Sequence, residues 1–460
     1  MKTKKLLALT MSALLVIGAL SGCGQKKDDG KVSVSIGNQP SEGHTSYDLQ
    51  MEKFETFRAA HPDIDIKPDT YQYDTKNFIA KAAANQLPTT FDTYFTEIKQ
   101  IAKQGYCADI SKALENTGLM EALNPTLIEM VKGENGEIWG VPHAAYAQSL
   151  TVNKKLFKEA GLVNEDGSVK VPNTYDEVAQ YAKIIKEKTG KAGFVIPTIE
   201  NCGGWHMMNI AWSYGTEFMK QNDDGSWTAT FDSDEFKAAC QWLYDMKWKY
   251  NALVDNSVVS NGERMQLFGT YQVGMMFGAP PEQDLARKYG MNVKDISCVR
   301  MPEGPAGRYA QSGGQVIMFS NTATQAQIEA ALLFYMEQDG YGTVVDDAML
   351  ELEEKGIINN IEKGGIQLHK NTFPTFTNRK GEEKLNALKE KYCNVDIADW
   401  NDYLGFEGVT IRAEEPVCCQ QLYAVIDVVV QKIITDKNVD IDAIVKEAVN
   451  DFQKNHLDNL

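Results

Sequence analysis

Strand-like and helix-like patterns alternate from the first ordered-looking stretch of this chain. "KVSVSIGN" sets valines against polar residues and then stays apolar, which predicts a strand. Leu49, Met51, Phe54 and Phe57 follow at helical spacing, and His61-Pro62 closes that helix. "DIDIKP" predicts a second strand, Phe78 to Asn85 a second helix and "TTFDTYF" a third strand. A βαβα order of this kind commits the chain to an α/β fold with a largely parallel sheet, because parallel neighbours need a crossover between them.

The theme persists. Thr174-Tyr175-Asp176-Glu177 reads as a capping box ahead of an apolar face at Val178, Tyr181, Ala182 and Ile185, with Gly190 ending the helix. Thr322 to Gln325 predicts a second box, opening a helix with Ile328, Ala331, Leu332 and Tyr335 on one stripe. Asp166-Gly167 and Asp224-Gly225 read as hairpin turns. Asn222 to Gly225 also resembles the start of a calcium loop, but the later ligands are missing, so no metal is expected there. At 460 residues the chain exceeds the size at which one core stops growing, about 250–300 residues, so two lobes are expected.

The amino end has its own logic. Lys2, Lys4 and Lys5 precede an uncharged run from Leu6 to Leu20, and Ser21-Gly22 lead to Cys23. This is the pattern of a secretory signal, too short for a membrane span of about 20 residues. Leu20-Ser21-Gly22-Cys23 resembles the bacterial lipobox, which implies removal of residues 1–22 and lipid attachment at Cys23. Residues 23–30 then form a polar tether to the membrane, and the rest of the chain is held at the extracellular face.

Losing three lysines and no acids takes the formal charge from −17 to −20. So acidic a chain argues against nucleic acid as a partner. Seven cysteines remain beyond Cys23, an odd number, and none falls in a C-x-x-C or a zinc-like spacing, so mostly free, buried thiols are expected. Free thiols in an exported protein suggest an oxygen-poor habitat.

Signatures of catalysis are absent: no G-x-S-x-G, H-E-x-x-H, Walker loop or G-x-G-x-x-G occurs. No cofactor is called for. Aromatic residues beside polar ones occupy predicted strand-to-helix loops, the positions that line ligand crevices in α/β folds. A sugar suits such a surface, since its C–H face packs on a ring and its hydroxyls need amide and carboxylate partners. Aromatics are also core residues, and composition alone does not choose between the two roles.

"GEIWGVPHAAYAQSLTVNKKLFKEAGL", from Gly136 to Leu162, resembles the middle of the family 1 extracellular solute-binding proteins, the receptors of ABC importers typified by maltose-binding protein. "VPNTYDEVAQYAKII", "TYQVGMMFGAP", "MPEGPAGRYAQSGGQVIMFSN" and "IEAALLFYMEQDG" resemble further segments in the same order. The resemblance implies a two-lobed periplasmic-binding-protein-like fold of type II, with a ligand cleft between lobes joined by hinge crossings. It places lobe one at residues 31–143 plus 305–343 and lobe two at 148–302 plus 344–460. The crossings fall near 144–147 and 303–305. It also implies a monomer that delivers a carbohydrate to membrane permease subunits.

By the same resemblance, ligand contacts are expected from Trp205 in a loop after a strand, and from Tyr146 on the first crossing. Tyr94 and Glu97 follow the third strand, and Asn38, Gln39 and His44 follow the first. Gln311 lies on the return crossing, and Trp400 and Tyr423 come late in lobe two. Many members carry Gly-Pro-Trp where this chain has Gly278-Ala279-Pro280-Pro281, which removes one aromatic contact and argues against a maltose-like site. A receptor for a non-sugar solute, such as a polyol phosphate, a peptide or a cofactor, is the main rival. It would want an Arg/Lys cluster, which the sequence does not place near these aromatics. A tethered glycoside hydrolase is a further alternative, and would need two carboxylates flanking a bond.

Overall fold

The computed structural model describes residues 30–75 and 77–460, so the expected signal segment, the expected lipidation position Cys23 and nearly all of the expected tether lie outside the described residues. Strand β1 (Val32–Ile36), helix α1 (Tyr47–Ala60), β2 (Ile64–Pro68), helix α2 (Phe78–Ala83) and β3 (Thr90–Tyr94) form as the patterns predict. β1 lies between β2 and β3, parallel to both. Helix α1 turns Phe54 and Phe57 inward, and the Phe54 ring meets Phe334 at 4.7 Å.

Strand β4 (Gly140–Ala147) leaves lobe one, and β5 (Ser149–Asn153) begins lobe two. Helix α3 (Tyr175–Thr189), β6 (Ala192–Val195), helix α4 (Cys202–Tyr214), β7 (Val273–Gly278) and β8 (Ile296–Val299) complete its centre. The sheet order is β8-β5-β7-β6, in which only β6 and β7 run parallel. Met275 and Phe277 point to one apolar layer and Met276 to the other, so this sheet is buried on both faces.

Strand β9 (Gly307–Phe319) is the return path. Its second half pairs antiparallel with β3, and along much of its length it pairs antiparallel with β4. The crossing lies later than the sequence suggests. Glu303–Ala306 still belongs to lobe two, where Glu303 pairs with the Asn173–Thr174 backbone and Ala306 donates to the Ser213 carbonyl. Ala310 packs in the lobe-two core and Val316 in the lobe-one core, so the passage is made between them. The two crossing strands lie so close that a Cβ on Gly314 would sit 2.0 Å from the Ala144 carbonyl oxygen.

Helix α5 (Gln325–Gln338) covers lobe one, then α6 (Asp347–Glu362) and α7 (Glu382–Lys391) form an arm over the junction. The stretch after residue 343 does not stay with lobe two. Phe376 packs in the lobe-one core, and Asn124 donates to the Thr375 carbonyl, before Val395 and Trp400 re-enter lobe two. Strand β10 (Thr410–Ala413) pairs with the first half of β9, and helix α8 (Cys419–Thr435) lies against α4. All seven cysteines described are free.

Local chemistry explains several ends. The Thr174 hydroxyl accepts from Glu177 N at 3.1 Å, but the Glu177 carboxylate reaches Asn173 N at 2.6 Å and not Thr174. The second box sits two residues later than expected, between Thr324 and Gln327. The Asp166 and Asp224 turns form as predicted, and the latter joins a two-stranded hairpin.

Candidate functional site

A crevice runs between the lobes, over β4 and β9. From lobe one, the end of β3 contributes Tyr94, whose side is open to solvent and whose ring meets Tyr73 edge-on at 5.8 Å. Glu97, one turn on, is buried and accepts a hydrogen bond from the Tyr73 hydroxyl at 2.6 Å. Burial raises its pKa, while the Tyr73 and Thr96 hydrogen bonds pull the other way.

From the crossing and lobe two, Tyr146 on β4 meets the Trp205 ring at 6.0 Å, nearly edge-on. Trp205 is not in a loop. It stands in the first turn of α4, because Gly203 and Gly204 are the helix's contact with α8: a Cβ on Gly204 would fall 2.3 Å from the Tyr423 carbonyl oxygen. The glycines serve close helix packing rather than chain reversal. Asp427 of α8 caps this helix from outside, accepting from Asn201 N at 2.8 Å and Gly204 N at 2.7 Å.

The Trp205 side chain also lies beside Glu414, just past β10, and the Tyr423 hydroxyl donates to Glu414 Oε1 at 2.8 Å. Burial pushes the Glu414 carboxyl up to about 7; the Tyr423 hydrogen bond and the nearby Trp205 indole oppose this, and the charge of Glu97 adds to it. Glu97 and Glu414 come from opposite sides of the crevice, and both act electrostatically on Tyr94.

Gln311 and Tyr423 lie beneath this surface. Gln311 is fully buried; its Nε2 donates to the Tyr423 hydroxyl at 2.6 Å and its Oε1 accepts from Gln148 at 2.9 Å. Gln148 in turn accepts from Asn209 and His206 of α4. Donation therefore runs in one direction, from His206 through Gln148, Gln311 and Tyr423 to Glu414, and ties the two crossings to the crevice carboxylate.

The remaining expected residues divide. Asn38 donates to Asp92 at 2.7 Å, and Asp92 also holds His143 Nδ1 at 2.7 Å, beside the first crossing. Gln39 is buried with its Oε1 unpartnered among the described residues. His44 is exposed in a turn, bonded to Ser46, and does not join the aromatic group. Trp400 departs most from the expectation. It is completely buried among Trp400's lobe-two neighbours Tyr403, Ile366 and Val395, and shows no surface to the crevice. Sequence reading missed Glu414, Asp92 and Asp427. "RAEEPVCC" offers no periodicity or motif, and these carboxylates acquire their roles only through partners far away in the chain.

Among the described residues no helix is long and apolar enough to cross a membrane, and no cluster of three or more His, Cys, Asp or Glu could hold a metal ion. The bacterial extracellular solute-binding protein family matches residues 42–336. A binding protein of Brucella abortus (strain 2308) is 27% identical over 227 residues, covering 47% of this chain and 49% of its own, so the chain spans about half the length of that relative. The arabinooligosaccharide-binding protein of Halalkalibacterium halodurans is 26% identical over 113 residues, 25% of this chain and 23% of that one. Among solved structures, an ABC transporter solute-binding protein from Thermotoga lettingae bound with alpha-D-tagatose superposes with a TM-score of 0.69 at 19% identity, over 92% of this chain and 99% of that one. With the family match running from residue 42, just past β1, into α5, the chain belongs to the bacterial extracellular solute-binding proteins and has the two-lobed α/β fold.

Proposed function

We propose that this protein is the lipid-anchored receptor of an ABC importer, capturing a carbohydrate, in the size range of an oligosaccharide, between its lobes and presenting it to the permease as a monomer. The observation that supports this reading is the meeting of Tyr146 and Trp205 beside Glu414, opposite Tyr94 and Glu97. Rings of this kind cover the C–H face of a pyranose, and the carboxylates accept from its hydroxyls. Asn38 and Gln39 extend the polar wall at the end of β1. Gln311 and Tyr423 act from below, by fixing Glu414.

Capture by closure requires that the ligand favour the closed arrangement over the open one, since equal affinity shifts nothing. The test is a thermal-shift screen of mono- and oligosaccharides, followed by calorimetry. A ligand at about 100 times Kd raises stability by about 2.7 kcal/mol. Saturable binding with compaction in small-angle scattering supports the reading, and turnover of the sugar or absence of binding across the screen overturns it. Anchoring is tested separately: Cys23→Ala should release the chain from the membrane fraction and leave binding intact.

A further inference from the structure

Beyond His143 on β4, a cavity of about 430 Å³ opens between the crossing, the Pro281–Gln283 segment of lobe two and the arm of α6 and α7. Two lysines stand in its wall, Lys370 and Lys389. Lys389 is only 8% exposed. Its hydrogen-bond partner is neutral, the Asn371 side-chain oxygen at 2.8 Å, and Glu353 and Glu382 act on it through charge alone. Burial accordingly lowers its pKa. An ammonium group has three donors, and among the described residues Asn371 is the hydrogen-bond acceptor seen for this one, which leaves donors for an incoming group. A buried charge without an ion-pair partner is expensive, and it costs less when an incoming group of opposite sign completes it.

The setting makes this unusual. The chain carries a formal charge of −17, and the aromatic part of the crevice is lined by carboxylates, yet this wall sets two lysines against the single carboxylate of Glu353. His143 adds to it. Its Nδ1 is held by Asp92 at 2.7 Å, and the hydrogen bond and charge of Asp92 raise its pKa against the lowering by burial, so the ring stands in the wall as a fixed polar edge. Asn360 and Asn371 supply neutral polar edges. Tyr146, the neighbour of the lining residues Ala144 and Ala145 on the same strand, faces Trp205, so cavity and aromatic crevice share β4 as a common wall.

We propose that this cavity binds an oxyanion, and that the carbohydrate captured by the protein carries one, either the carboxylate of a uronic acid or the phosphate of a sugar phosphate. The proposal rests on the sugar-capture reading and narrows it. Lys389 is the specificity-determining residue, with Lys370 at the more exposed side of the same group.

The experiment is calorimetry on the purified full chain with a panel of matched pairs. Uronate di- and oligosaccharides are each run beside their methyl esters, and sugar phosphates beside their parent sugars, with inorganic phosphate as competitor. The expected result is that the tightest binder is an acid, at least about tenfold tighter than its neutral partner, and that Lys389→Met removes most of that preference. A preference held by the uronates assigns the carboxylate; one held by the sugar phosphates, with displacement by inorganic phosphate, assigns the phosphate. Should Lys389→Met fail to fold, Lys370→Gln serves, with a smaller loss of the same preference expected. Neutral partners binding as tightly as acids, or a preference that survives both substitutions, overturns the inference while leaving sugar capture standing. If no member of the panel binds, both fall.

Discussion

Tyr423 donates to Glu414 at 2.8 Å, and this single bond joins the buried hinge network to the open crevice. The same hydroxyl accepts from Gln311 at 2.6 Å, so it is bonded on both sides.

Tyr423→Phe therefore strands two groups at once, the Gln311 amide and the Glu414 carboxylate. An unmet buried polar group costs about 1–3 kcal/mol. A loss of stability in that range is expected in urea unfolding. Because the lost bond favours ionised Glu414, its titration, followed by carboxyl NMR, should also move upward. Unchanged stability and titration would mean that water replaces the hydroxyl without loss.

Glu414→Gln tests the pH dependence. The folded carboxyl titrates near 7, above its unfolded value of about 4.3. Between those values the folded chain holds a proton that the unfolded chain has released. Stability from this group is thus full below about 4.3 and is lost as pH rises through 7, by up to about 4 kcal/mol. Glu97, Glu415 and Asp427 are shifted in the same direction, so the wild-type slope should be reduced in the variant rather than abolished. The check is the difference between the two proteins in unfolding free energy from pH 4.5 to 7.5.

Trp205→Ala separates stacking from packing. A ring against a sugar in a desolvated site is worth about 2 kcal/mol or more, some thirtyfold in Kd. Trp205 is only partly buried, so the empty protein should keep most of its melting temperature while calorimetry shows the affinity lost. Trp205→Phe should fall between. Full affinity beside a large drop in the melting temperature of the empty protein would return the ring to the core.

Asp427→Ala removes the outside cap of α4. Loss of a cap costs about 1 kcal/mol, up to about 2. Trp205 sits in the turn that the cap secures, so affinity should weaken along with stability, and faster amide exchange at Gly204 would report the loosened turn. Weakened stability with affinity and exchange unchanged would uncouple the cap from the crevice.

Much of the alternating fold was legible because it is local. The alternation in "KVSVSIGN" and the stripe from Ile328 to Tyr335 carry their own periodicity, and β1 and α5 follow from them. What failed depended on distant partners. Gly203-Gly204 reads as a loop until α8 is seen pressed against it. Trp400 is expected at the ligand by the resemblance, yet Tyr403 and Val395 enclose it. The resemblance puts the return crossing near 303–305, but those residues form a hairpin against lobe two. The crevice was legible only as a set of loops. Its carboxylate at Glu414 and the lysines of the arm are brought together by tertiary contacts that no spacing records.

The contact of Phe54 with Phe334 fixes a sequence of events during synthesis. Helix α1 emerges early with its apolar side bare, and the helix that covers it is made some 280 residues later, after the whole centre of lobe two. Lobe one therefore cannot finish first, although it begins first, and its closure is a long-range step of the kind that slows folding. A nascent chain of this design stays incompletely folded until its last third is available.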